Sequence, residues 1–105
     1  MRWRLAAVVI VGLVAASYLN RLTQENRLRE RLWGLRTALH EYIFDTHQEP
    51  QAVQDMVQRH YLREVPVDPM TGSNSTWRIV SDGGDVDVKS GSTKSGLNGK
   101  RYSDW

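Results

Sequence analysis

The sequence predicts an α+β fold: a long N-terminal helix, transmembrane in its first part and amphipathic in its second, packed on a small domain with a second short helix and a short antiparallel β-hairpin. Three observations predict it. An uncharged apolar run, LAAVVIVGLVAASYL, occupies residues 5–19. Leu28, Leu32, Leu35, Leu39 and Tyr42 then recur at intervals of 4, 3, 4 and 3, the stripe of an amphipathic helix. Beyond Gly72 the pattern changes to Thr76-Trp77-Arg78-Ile79-Val80, rich in β-branched and aromatic residues, and to clean alternation in Asp85-Val86-Asp87-Val88, on either side of a Ser81-Asp82-Gly83-Gly84 turn. Three parts follow: a membrane anchor segment at 1–21, an amphipathic helical stem at 22–46 and a small globular domain at 47–105.

The apolar run is short for a membrane span, about 22 Å at ~1.5 Å per residue against a ~30 Å hydrocarbon core. Trp3 and Tyr18 suit the two interfaces, and Arg4 and Arg21 can extend outward from the ends. Two alternatives stand beside the anchor. Arg2 and Arg4, the apolar run and Val14-Ala15-Ala16 also fit a secretory signal cut after Ala16, and a buried helix of a soluble core fits the hydropathy. Charge leaves the orientation open, because arginines flank the run on both sides.

The helix is expected to continue through the stem to about Asp45, with Gly34 its only weak position. The stripe covers two heptads, too few for an extended coiled coil. A split is therefore expected: Leu35, Leu39, Tyr42 and Ile43 pack on the domain, and the earlier part, with Leu28 and Leu32, is free for partners. Pro50 suits a first helical turn, and Ala52, Val53, Met56 and Val57 predict a second helix over residues 50–60.

Between this helix and the hairpin lies LREVPVDPMTG. Pro66 and Pro69 each fix their own φ and drive the preceding residue extended. Asp68 can accept hydrogen bonds from the backbone ahead of it, and Gly72 can adopt a positive φ. Pro66, Asp68, Pro69 and Gly72 thus predict a rigid corner between the helical and β parts. Trp77 and Trp105 are expected to pack on the domain.

Chemistry is sparse. The chain has 105 residues and no cysteine, which excludes disulfides and thiolate metal sites. Seven arginines and two glutamates make residues 1–36 basic, and seven basic against ten acidic residues make the remainder mildly acidic. That distribution argues against nucleic-acid binding, which needs a basic patch on the folded surface. His40, His47 and His60 form no local metal motif, and no nucleophile elbow or phosphate loop occurs. Asp85 and Asp87 share a strand face expected to be solvated. No enzymatic activity is expected.

The ordered series LRTALHEYIFDT, HYLREVPVDPMTG, TW, DVKSGS and YSDW, behind a long apolar-to-amphipathic helix, resembles the major pseudopilin family of type II secretion, close to its short members with a VPVDPMTG segment and an SGS loop. The resemblance covers residues 28–105. It implies a pilin-like fold and a single-pass protein of the bacterial inner membrane with its C-terminal domain in the periplasm. It also implies assembly into a filament through the N-terminal helix, with itself, other pseudopilins and inner-membrane secretion components as partners. Two departures are visible. Nothing matches the family's Gly-Phe-Thr-Leu-Ile-Glu processing motif, and the first acidic residue is Glu25. The family's calcium loop would fall on Ser90, Ser92, Asn98 and Asp104. Asp104 is the single acidic residue there, against Lys94, Lys100 and Arg101. Calcium prefers several carboxylates among its 6–8 oxygen ligands, so no cofactor is expected. The rival functions are a membrane-anchored coiled-coil envelope scaffold and a secreted binding module.

Overall fold

The computed structural model describes residues 2–105 and is organised around one helix, α1, Arg2–Thr46. Its 45 residues, at about 1.5 Å each, account for the 68 Å length of the molecule. The second helix, α2, spans Val53–Gln58. Strands β1, Arg78–Asp82, and β2, Asp85–Lys89, form a two-stranded antiparallel sheet, and a 3₁₀ turn follows at Tyr102–Asp104. The α+β layout expected from the sequence is present.

The end of α1 is set locally. His47 takes φ 55°, and its N–H donates to the Ile43 carbonyl at 2.8 Å. His60 closes the α2 region in the same way, with φ 66°. Histidine is among the residues that enter this left-handed region more readily than most, so two of the three histidines act as helix stops. The second helix is shorter than the expected 50–60. Ala52 is fully extended, and the Asp55 carboxyl reaches back to accept from the Gln51 and Ala52 amides at 2.8 and 3.3 Å. That is the acidic half of a capping box, and it fixes the start at Val53.

The hairpin is displaced two residues from the expected first strand. Asp82 pairs with Asp85 across Gly83-Gly84, whose φ values of 58° and 93° make the two-residue turn that suits right-twisted strands. Ser81 and Asp82, expected in the turn, are thereby drawn into the ladder. At its other end, Thr76 leaves the ladder: its hydroxyl pairs with that of Thr71 at 2.6 Å, and its carbonyl oxygen lies where a Cβ on Gly91 would sit. Only glycine admits that approach.

The core lies between the distal half of α1 and the sheet. Leu28, Leu32, Leu35, Leu39 and Tyr42 meet Val53, Met56, Trp77, Val88 and Tyr102 there. Leu28 and Leu32, expected to be free for partners, are 0% and 2% exposed. The split is thus corrected. The small domain has too few large side chains of its own, so its C-terminal loop closes over the earlier leucines as well. Fully burying a leucine is worth about 1.5–3 kcal/mol, which makes the whole stripe part of the domain's stability.

Candidate assembly surface

Asp68, Pro66 and Gly72 of the corner are each held by hydrogen bonds. Asp68 is completely buried. Its carboxyl accepts from the Met70 amide at 2.8 Å and from the Ser90 hydroxyl at 2.5 Å, and its main-chain carbonyl accepts from Gly72 N–H at 2.8 Å. Gly72 has φ 73°. Pro66 offers its carbonyl to the Trp77 indole N–H at 2.7 Å. The corner therefore ties the chain ahead of the hairpin to the chain behind it.

Three of the four calcium-loop candidates have other occupations. Ser90 donates to Asp68 and accepts from the Ser92 amide. Ser92 Oγ accepts from Lys94 N–H, and Asn98 Oδ1 from Lys100 N–H. Asp104 is exposed on the 3₁₀ turn. Among the described residues no group of three or more His, Asp or Glu side chains is placed to hold a metal.

Sequence reasoning missed three polar side chains that clamp α1 to the loop: Arg21, expected to extend outward at the membrane end, instead donates to the Ser95 carbonyl at 2.7 Å, and Glu25 and Arg36 join it. Glu25 is 2% exposed, and its Oε1 accepts from Tyr102 Oη–H and Leu97 N–H, both at 2.8 Å. Burial and the bond to Glu25 raise the pKa of the Tyr102 phenol, which keeps it a donor. Gly96 lies so close that a Cβ there would approach the Trp105 ring at 2.7 Å. About three turns later on α1, at the i+11 position, the Arg36 guanidinium donates to Asp87 Oδ1 at 2.7 Å, to the Val88 carbonyl at 3.2 Å and to the Trp105 main-chain oxygen at 2.5 Å. Burial opposes ionisation of Asp87, but the Val88 amide and Arg36 outweigh it and hold its pKa below the ordinary value. The expected solvated pair is thus corrected in half: Asp85 is exposed, whereas Asp87 is an ion-pair partner. These contacts join residues 51 to 77 positions apart, beyond any local pattern.

Trp77 is a core residue, 8% exposed. Trp105 packs edge-on against Tyr102 at 5.1 Å and carries the Arg29 guanidinium 4.5 Å over its ring.

Two surfaces remain uncovered. The first is the apolar part of α1, where an 18-residue window has mean hydropathy 1.8 and none of it is buried. It is long and apolar enough to cross a membrane, and the expectation of a buried soluble-core helix fails for it. The second is the outward face of the stem, where Trp33 is 73% and Phe44 79% exposed. Eleven residues make about three turns, so the two share a face. That spacing was available in the sequence.

Comparison with known proteins finds no matching family model, no similar curated protein and no similar solved structure.

Proposed function

We propose that the chain is a structural, pseudopilin-like subunit of a type II secretion or type IV pilus-like filament, held in the bacterial inner membrane by α1 with its domain in the periplasm. One observation carries the reading: a single unbroken helix buries its inner face in its own domain from Glu25 to Tyr42 and is wholly uncovered over its apolar first part. An apolar helix of this kind is stable in lipid or against other apolar helices. The rigid continuation into the domain then fixes how neighbouring domains stand around a shared helical centre. Assembly, not catalysis, is the work of such an arrangement, and no cofactor enters it.

The coiled-coil scaffold is less well supported, because the leucine stripe it needs is buried in the chain's own core. The test is fractionation and sizing of the full chain beside a Val11→Asp variant. The proposal expects the parent to resist alkaline extraction from membranes and to run as a series of oligomers in mild detergent, and the variant to lose the oligomers. Release of the parent as a free periplasmic monomer would sink it in favour of the secreted module.

A further inference from the structure

A cleft of about 390 Å³ opens between the stem and the C-terminal loop, at the membrane-proximal end of the domain. Trp33, Leu32 and Trp105 supply its apolar walls, and Arg29, Arg36 and Lys100 its charge. Asp104 also lines it, and Arg36 is already committed to Asp87. Arg29 and Lys100 have no carboxylate within ion-pairing distance among the described residues. The cleft is therefore aromatic, with two cations outside any ion pair against the one carboxylate of Asp104.

The distal end of the same stem carries the opposite arrangement. Phe44 projects from α1 with exposed Glu41 and Asp45 beside it in sequence and Asp85 of the hairpin turn beside it in space. It is an aromatic knob with His40 and Asp85 beside it and with Glu41, one turn back on the helix, adding a second carboxylate, while Asp45 accepts from the Tyr61 hydroxyl at 2.8 Å. Knob and cleft lie on one helix, and a rigid helix cannot fold its own end back, so the knob cannot reach the cleft of its own chain.

We infer that the occupant of the cleft is the Phe44 knob of a second copy of this chain. This rests on the assembly reading above and specifies its geometry. The contact is heterologous: the distal surface of one copy meets the proximal surface of the next. Such contacts propagate into open filaments unless rotation closes them into a ring. In parallel copies, seating Phe44 beside Trp33 displaces one stem along the other by eleven residues, about 16 Å. That stagger raises the apolar segment of one copy well above that of its neighbour, which suits a filament leaving the membrane and not a flat ring within it. Opposite charges at the rim set the register, while the aromatic contact carries most of the affinity.

The absence of cysteine makes the test direct. Full-length chains carrying Glu41→Cys and Lys100→Cys singly are mixed in mild detergent and treated with a short bismaleimide. The inference expects a cross-linked dimer in the mixture and none from either variant alone. Adding Phe44→Ala, an exposed position outside the core, should cut the yield about tenfold, as loss of an aromatic anchor does. Self-cross-linking of the Glu41→Cys chain would show stems packed in register and overturn the inference. Oligomers by sedimentation without the mixed cross-link would overturn it and leave the assembly reading standing. Monomers throughout would overturn both.

Discussion

Replacing Asp68 by alanine removes two hydrogen-bond acceptors from the interior at once. The Ser90 hydroxyl, completely buried, loses its 2.5 Å partner, and the half-buried Met70 amide loses its 2.8 Å partner. A buried donor left without an acceptor costs about 1–3 kcal/mol. Ser90 incurs that in full, whereas water can partly replace the carboxyl at Met70. Asp68→Ala should therefore destabilise the domain by about 2–4 kcal/mol. In a domain of this size each kcal/mol lowers Tm by about 4–8 °C, so the expected drop exceeds about 8 °C. Ser90→Ala removes the orphaned hydroxyl, so Asp68→Ala made in that background should cost less by about 1–2 kcal/mol. The assay is thermal unfolding of the full chain in detergent, followed by near-ultraviolet circular dichroism. Trp77, hydrogen-bonded to Pro66 in the same corner, makes that signal sensitive to the site. A Tm change of less than a degree or two for Asp68→Ala, or strict additivity with Ser90→Ala, would refute the claim that this pair locks the corner.

Two further outcomes follow from the clamps. Glu25→Ala leaves Tyr102 without its acceptor, and the loop should open more often: exchange of the Gly96 and Tyr102 amides, whose own acceptors are untouched, should quicken by about tenfold or more. Unchanged protection would place the loop's stability elsewhere. The Asp87 pKa is lowered on folding, so the folded state favours the ionised form. The stability this contributes is present above about pH 4, the unfolded value, and disappears as pH falls through the folded value. Thermal scans should show the Tm gap between parent and Asp87→Asn narrowing between pH 5 and pH 3. A gap that stays constant would mean that the Arg36–Asp87 pair adds no stability.

The parts of the fold set by local chemistry were legible in the sequence. The leucine stripe, the proline corner and the glycines of the hairpin each dictate backbone geometry within a few residues, although the turn is tighter than expected, with Ser81 and Asp82 in the ladder. What covers the stripe was not legible. Periodicity shows that Leu28 and Leu32 need a partner, but not whether it is another subunit or the chain's own loop seventy residues away. Glu25 and Arg36 read as surface charges for the same reason, since their partners come from the distant loop and β2. The limits of α2 and β1 moved because particular side chains intervened. Asp55 set the start of one, and the approach of Thr76 to Gly91 excluded the first expected residues of the other. Trp33 and Phe44 were legible as a pair three turns apart, but their meaning came from the cleft and the carboxylates that the fold brings beside them.

The most direct test of the central claim is electron microscopy of the full chain after detergent is diluted below its micelle concentration. An assembly subunit built around an exposed apolar helix should give filaments of uniform width, and the Val11→Asp chain should give none. Dispersed particles of monomer size from the parent, or identical filaments from the variant, would contradict it.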